Sequence, residues 1–195
     1  MLAAVILSGG ASSRMGSPKA LLPYQGRPFL EHLLEVTALP QIGVRRVVLG
    51  AHAEPITRAI RLKADEVVIN EKWEEGQLSS IQAAIRSLPA GTAGMLLCLI
   101  DHPLISGNLV QELIADFRAS HKLIVLPVYK GRRGHPLIFS SRLYDELLNA
   151  PRDTGARSVV WAHAQDISEV PTTEEGCILN LNNPETFSAI GAGPG

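Results

Sequence analysis

Short apolar runs of strand length alternate with amphipathic helical patterns, and this alternation constrains the fold more than any other feature of the chain. Apolar runs that suit strands covered on both faces lie at residues 2–8, 46–50, 66–70, 95–100 and 123–128. Between them, helical spacing predicts helices over residues 29–39, 55–63, 79–88 and 107–120. This alternation of strands and helices predicts a three-layer α/β sandwich built on a mostly parallel sheet.

The last third of the chain is less regular. A basic, glycine-containing loop precedes a predicted strand at residues 136–139, helices near 141–149 and 154–163, and a final strand at 176–181. Two polar residues are candidate N-caps, Ser79 for the third helix of the chain and Asp153 for the last one. At 195 residues the chain fits one domain, predicted over 1–190, with a frayed tail at 191–195.

Composition and charge exclude several classes of function. The net charge of -1 gives no whole-chain basic field, so no nucleic-acid partner is predicted. No apolar stretch approaches the length of a membrane span, and the first apolar run has neither a basic leader nor a cleavage site. A cytoplasmic protein without a membrane partner is therefore expected. Cys98 and Cys177 lie far apart in the sequence and lack CxxC spacing, which argues against a zinc site or a redox pair.

A glycine-rich loop follows the first predicted strand, at the end of the strand where open α/β sheets bind ligands. Its sequence is Leu7-Ser8-Gly9-Gly10-Ala11-Ser12-Ser13-Arg14-Met15-Gly16-Ser17-Pro18-Lys19. The paired glycines let the backbone approach a ligand, and exposed amides in such a turn bind anions. Arg14 and Lys19 add cationic donors that suit phosphate groups. Neither a Walker A loop nor a GxGxxG fingerprint fits this spacing, so the loop predicts a different kind of phosphate site.

Asp101 follows the predicted strand at 95–100 and is the candidate metal ligand of the chain. Magnesium takes one or two protein oxygens together with substrate phosphates, which suits a carboxylate at this edge of the sheet. Asp101 also suits the cap of the following helix, so both interpretations stay open on spacing alone. Near the end of the chain, Asn182 offers an amide oxygen as a second ligand or a turn-forming side chain.

Residues 7–19 resemble the signature L-x-G-G-x-S-x-R-M-G-x-x-K of the MobA-like nucleotidyltransferases, and residues 101–103 resemble their D-x-P motif. This resemblance implies a Rossmann-like sandwich with the nucleotidyltransferase (GT-A-like) topology. It also implies that Arg14 and Lys19 neutralise a triphosphate and that Asp101 binds Mg²⁺, which makes these residues the expected catalytic set. The loop residues implied to hold the base and ribose are Leu7, Ser8, Gly9 and Gly10.

Three further stretches resemble the molybdenum cofactor cytidylyltransferase (MocA-type) branch of that family. Residues 70–80 match N-x-x-W-x-x-G-x-x-S-S, 131–136 match G-x-x-G-H-P, and 153–157 match D-x-G-A-R. The resemblance implies that the first stretch contacts the nucleotide and that the other two lie near the acceptor phosphate. The nucleotide contacts implied are Asn70, Ser79 and Ser80, and the acceptor contacts implied are His135 and Arg157.

The C-terminal motif departs from the pattern of the relatives. Where they commonly read D-x-D-T-P-E, this chain has Asn180 and Asn182 ahead of Pro184 and Glu185. An amide oxygen is still a ligand for Mg²⁺, so Asn182 is the expected second ligand. Because an amide carries no charge, the metal site depends more strongly on Asp101 and on the phosphates of the substrate.

The resemblance implies transfer of a nucleotidyl group from CTP or GTP to a phosphorylated acceptor, with Mg²⁺ as cofactor and pyrophosphate as the leaving group. Molybdopterin is the first-choice acceptor, and a molybdoenzyme or its maturation factor is a candidate protein partner. The base is open, because Gly9 and Gly10 resemble the guanylyl branch while residues 73–80 resemble the cytidylyl branch. The alternatives are a sugar-1-phosphate nucleotidyltransferase and a non-catalytic nucleotide sensor or cofactor chaperone.

Overall fold

The computed structural model describes residues 1–11 and 16–182. The strands in these residues are β1 (Leu2–Ser8), β2 (Pro23–Tyr24), β3 (Arg27–Pro28), β4 (Ile42–Leu49), β5 (Val67–Ile69), β6 (Gly94–Leu99), β7 (Ile124–Tyr129), β8 (Arg132–Arg133), β9 (Leu137–Ser140) and β10 (Ile167–Pro171). The α-helices are α1 (Phe29–Val36), α2 (Ala53–Ala59), α3 (Gln77–Ser87), α4 (Gly107–Ser120), α5 (Tyr144–Leu148) and α6 (Ala156–Ala162). Arg14, the motif residues Pro184 and Glu185, and the predicted frayed tail all lie outside the described residues.

The main sheet has the strand order β10-β7-β9-β6-β1-β4-β5, and β8 extends β7 as a short hairpin. β1 pairs in parallel with both β4 and β6, and β4 pairs in parallel with β5. β9 is antiparallel to both of its neighbours, β6 and β7, whereas β10 is parallel to β7. The mostly parallel sheet predicted from the sequence is therefore confirmed, and β2 and β3 form a separate two-stranded hairpin.

Helices cover both faces of the sheet, because alternate residues of each strand point to opposite sides. On one face, Ile6 of β1 packs in a cluster with buried residues of α1, α2 and α4. On the other face, Val5 packs in a cluster with buried residues of α3, α5 and α6. β1 is buried along its whole length, as expected of a central strand in a three-layer sandwich. Among the described residues, none of the helices has the length and apolar character needed to span a bilayer.

Three local predictions are wrong. Residues 176–181 form no strand, since a short 3-10 helix occupies Glu175–Cys177. The parallel partner of β7 is instead β10, a strand that the sequence pattern does not predict. The N-cap of α3 is Gly76 rather than Ser79, whose hydroxyl is donated to backbone carbonyls. The N-cap of α6 is Gly155 rather than Asp153.

The strand order creates one point at the sheet edge where a ligand can bind. From β1 the chain continues outward to β4 and β5 on one side, while β6 lies on the other side of β1. A reversal of this kind opens a crevice beyond the carboxyl ends of the two central strands. The loop after β1 and the residues after β6 therefore face each other there, and Ile100 N donates to Leu7 O at 3.1 Å to close the base of the crevice.

Candidate active site

A cavity of about 250 Å³ occupies the crevice between the loop after β1 and the end of β6. Ser8 and Gly9 are buried at its floor, whereas Gly10 is exposed at its mouth. The residues that line the cavity are Leu7, Ser8, Gly9, Gly10, Lys19, Trp73, Gly76, Gln77, Ser80, Leu99, Ile100 and Asp101. The described part of the predicted nucleotide loop and the predicted metal ligand therefore lie on one cavity.

One side of the cavity, here called the neutral wall, is built from Gly9, Trp73 and Ser80, with Asn70 and Ser79 behind them. Asn70 Nδ2 donates to Ser79 Oγ at 2.8 Å and to Ser80 Oγ at 3.0 Å, while Asn70 Oδ1 accepts from the backbone amide of Lys72 at 3.0 Å. Asn70, Ser79 and Ser80 are all buried. These hydrogen bonds join the loop after β5 to the first turn of α3, so the wall is held together by neutral groups.

Glycines allow the loop after β1 to pack closely on this wall. A Cβ atom on Gly50 would lie 2.4 Å from Gly9 O and 2.6 Å from Trp73 Cβ, distances that real Cβ atoms do not show. A Cβ atom on Gly9 would lie 2.9 Å from Ser80 Oγ. The sequence pattern alone predicts no role for Gly50. The feature that points to one is its place directly after β4, the strand that pairs with β1.

The opposite side, here called the ionic wall, consists of Lys19, Asp101, Asn180 and Asn182. Lys19 Nζ donates a hydrogen bond to Asn182 Oδ1 and lies 3.9 Å from Asp101 Oδ2. Asn180 Nδ2 donates to the same carboxylate oxygen at 2.9 Å. The Lys19 and Asp101 side chains are only 15% and 18% exposed, so water screens this pair less than a surface pair.

Close backbone packing brings the two asparagines to Asp101. A Cβ atom on Gly176 would lie 1.9 Å from Leu104 O, and one on Gly134 would lie 2.6 Å from Cys177 O. The C-terminal segment therefore crosses directly over the chain that follows β6. Leu181 N then donates to Asp101 O at 2.8 Å, which places Asn180 and Asn182 on either side of that contact.

Two imidazoles, the buried His102 and the half-buried His135, lie beside the ionic wall. His102 Nε2 is 4.0 Å from Asp101 Oδ1, and the ring centroids of His102 and His135 are 5.0 Å apart. Burial lowers the pKa of His102, and burial together with the neighbouring His102 ring lowers the pKa of His135 to about 4. Both rings are therefore neutral near pH 7, and His135 adds a polar but uncharged group beside Asp101.

The structure separates some residues that the sequence grouped together. Asn70 and Ser79 line a second cavity of about 530 Å³ on the far side of the neutral wall, whereas Ser80 lines the first cavity. Arg157 is exposed on α6 and does not line the first cavity. The roles predicted for Arg157 and His135 toward an acceptor stay predictions.

The donor set of the ionic wall fits a hard divalent cation. Among the described residues, no group of three or more His, Cys, Asp or Glu side chains is placed to hold a metal ion. Asp101 supplies one carboxylate and Asn182 an amide oxygen, while Asn180 Oδ1 is buried and has no hydrogen-bond partner among the described residues. This small oxygen set suits Mg²⁺, which binds few protein groups and completes its shell with phosphates and water.

Comparison with known proteins identifies the family. The family model described as the MobA-like NTP transferase domain matches residues 4–167. The chain belongs to the MobA-like NTP transferase family. The predicted family and fold are thereby confirmed, and the match contains both the loop after β1 and Asp101, whereas Asn180 and Asn182 lie beyond it.

Relatives of this MobA-like chain carry different activity names. It is 32% identical over 163 residues to the Nicotine blue oxidoreductase of Paenarthrobacter nicotinovorans, covering 78% of each chain. It is 32% identical over 188 residues to the molybdenum cofactor guanylyltransferase of Xanthomonas euvesicatoria pv. vesicatoria, covering 95% of this chain and 92% of that one. The crystal structure of Rv0371c from Mycobacterium tuberculosis superposes with a TM-score of 0.82 at 25% identity, over 97% and 96% of the two chains.

Proposed function

We propose that this chain is a nucleotidyltransferase that transfers a nucleotidyl group from GTP or CTP to the phosphate of molybdopterin, with Mg²⁺ as cofactor and pyrophosphate as product. The observation that carries the proposal is the placement of Lys19 and Asp101 on the same cavity as the Gly9–Gly10 loop. A cation, a carboxylate and a glycine-lined floor are the groups that a metal–triphosphate complex requires.

The acceptor follows from the relatives. The guanylyltransferase from Xanthomonas matches almost the whole chain and is named for the molybdenum cofactor. The MobA-like domain match over residues 4–167 points to an NTP as donor. The named guanylyltransferase therefore supports molybdopterin as the acceptor more strongly than a sugar 1-phosphate.

The proposed reaction depends on positioning and charge. An oxygen of the acceptor phosphate attacks the α-phosphorus of the bound NTP, the bond from the α-phosphorus to the bridging β-oxygen breaks, and pyrophosphate leaves with that electron pair. Lys19 stabilises the negative charge that develops on the phosphates, and Asp101 with Asn182 would hold the metal. When bound, the metal neutralises phosphate charge and orients the leaving group. The neutral wall holds the nucleotide in place and keeps water from one side of the cavity.

The close packing of the cavity floor supports a purine donor. Gly9 packs directly against Ser80, so that a Cβ atom there would approach Ser80 Oγ to 2.9 Å. This packing keeps the loop after β1 back from the cavity, and a bicyclic base needs more of that space than a pyrimidine. Gly9 and the named guanylyltransferase thus support GTP as the donor, while the likeness of residues 73–80 to the cytidylyl branch supports CTP.

The proposal is tested by pyrophosphate release from the purified chain with molybdopterin, Mg²⁺ and each of the four NTPs. We expect release with GTP or CTP that depends on molybdopterin, and a loss of about 10²–10³ in turnover in Lys19→Ala, as for other charge-stabilising groups. Lys122→Ala is the matched control, because the Lys122 ammonium group donates to the carbonyl of Gln165 and Lys122 does not line the cavity.

Two results would overturn the proposal. Binding of GTP or CTP without turnover of any NTP would make the chain a nucleotide sensor or a cofactor chaperone. Redox conversion of nicotine blue, in the absence of pyrophosphate release, would instead indicate the reaction class named for the relative from Paenarthrobacter.

A further inference from the structure

We infer that Lys19 is a built-in substitute for the divalent cation, so that the protein binds its metal only when a triphosphate draws the lysine away. The inference rests on the proposed function and concerns what the ionic wall does before substrate arrives. Lys19 Nζ shares its charge between Asn182 Oδ1 and Asp101 Oδ2, the two groups expected to hold the metal. An ammonium group and a metal ion require the same oxygens, so they compete.

The charges of the wall balance without a metal. Asp101 contributes one negative charge and Lys19 one positive charge, while Asn180 and Asn182 are neutral. A divalent cation that approaches this wall meets no net negative charge from these four residues, and it must also displace an ammonium group that is largely shielded from water. Burial of both partners makes that displacement more costly than at an exposed ion pair.

Asn180 is a positioning residue in this arrangement. Its amide nitrogen donates to Asp101 Oδ2 at 2.9 Å and holds the carboxylate toward Lys19. An aspartate at position 180 would place a second carboxylate within hydrogen-bond distance of the first, and the two would repel each other unless a cation lay between them. The amide therefore orders Asp101 without a metal, which a carboxylate would not do.

The triphosphate exchanges these partners. Phosphate oxygens in the cavity offer Lys19 a stronger anionic partner than one shared carboxylate and one amide. Movement of Lys19 to the phosphates removes the ammonium group from Asp101 Oδ2 and Asn182 Oδ1 at the same moment, while Asn180 Nδ2 still holds the carboxylate in place. Metal and nucleotide thus bind together, and the nucleotide-free protein binds metal ions only weakly.

The test is binding of Mn²⁺ alone to the nucleotide-free protein, measured by the electron paramagnetic resonance signal of unbound Mn²⁺. We expect Lys19→Met to bind Mn²⁺ at least roughly tenfold more tightly than the wild type, because a positive charge about 4 Å from the site is removed. Asn180→Asp adds a carboxylate there and is expected to tighten binding by a similar factor. Lys122→Met, which changes a surface lysine, should match the wild type.

Equal Mn²⁺ affinity in the wild type, Lys19→Met and Asn180→Asp would overturn the inference. Circular dichroism of each variant checks that it is folded, and the two substitutions act on different residues, so one misfolded variant leaves the other as the test. Pyrophosphate release by the wild type is measured separately. Release together with unchanged Mn²⁺ affinity removes only the inference, while absence of release with tighter Mn²⁺ binding removes only the proposed function.

Discussion

The two walls of the cavity are held in different ways. On the neutral wall, Asn70 uses both ends of its amide on Ser79, Ser80 and the backbone of Lys72, so its hydrogen bonds are satisfied inside the protein. On the ionic wall, Lys19 and Asp101 are bonded to groups that a metal or a phosphate would also bind. The hydrogen bonds of the neutral wall can therefore persist when a ligand binds, whereas the contacts of the ionic wall are ones that a metal or a phosphate would replace.

This difference predicts which kinetic quantity each wall controls. A wall whose bonds persist through the reaction contributes equally to the ground state and the transition state, so damage to it raises KM. A wall whose charges meet the reacting phosphates contributes more to the transition state, so damage to it lowers kcat. The predictions below test that assignment, from the largest expected effect to the smallest.

Asp101→Asn should have the largest effect, because it removes the carboxylate that the described residues contribute to the ionic wall and leaves the shape of the side chain unchanged. We expect kcat for pyrophosphate release to fall by about 10²–10³, with a smaller change in KM for the NTP. Asp65→Asn is the matched control, since Asp65 is exposed before β5 and does not line the cavity. A fall in which KM changes and kcat does not would contradict the assignment of the two walls.

The sequence predicted the two walls to different extents. The strand pattern and the loop motif located Gly9, Lys19 and Asp101 at one sheet edge, because parallel strands bring their carboxyl ends together. The sequence did not predict that Asn70 hydrogen-bonds to both Ser79 and Ser80, because such a network depends on side-chain geometry that the spacing of residues does not encode. It also missed β10 and placed a strand at 176–181, where the close approach of Gly176 to Leu104 holds the chain in a different conformation.

Asn70→Ala should have an intermediate effect, and unlike Asp101→Asn it should change KM rather than kcat. The substitution leaves the buried hydroxyl groups of Ser79 and Ser80 without their donor, which is expected to lower the free energy of unfolding by about 1–3 kcal/mol. Looser packing of the loop after β5 should raise KM for the NTP, with little change in kcat. Thermal unfolding and steady-state kinetics measure both quantities.

Asn149→Ala is the control for that prediction, because Asn149 is exposed at the end of α5 and its side-chain amide donates to the carbonyl of Asp145. Its stability and KM should match those of the wild type. If Asn70→Ala lowered kcat as strongly as Asp101→Asn does, the neutral wall would take part in the chemical step, and the contrast between the two walls would be lost.

Gly9→Ala should have the smallest effect and should act on the choice of base. The added methyl group would meet Ser80 Oγ at 2.9 Å, so the loop or the serine must shift into the cavity, and the narrower floor disfavours a purine more than a pyrimidine. We expect the ratio of kcat/KM for GTP to that for CTP to fall by roughly threefold to tenfold, the size of a one-methyl change in a binding pocket. Gly9→Ala combined with Ser80→Ala removes the oxygen that the methyl group meets, so the double variant should recover most of the original ratio. An unchanged ratio in Gly9→Ala would show that the base is read elsewhere, and the width of the neutral wall would then have no part in specificity.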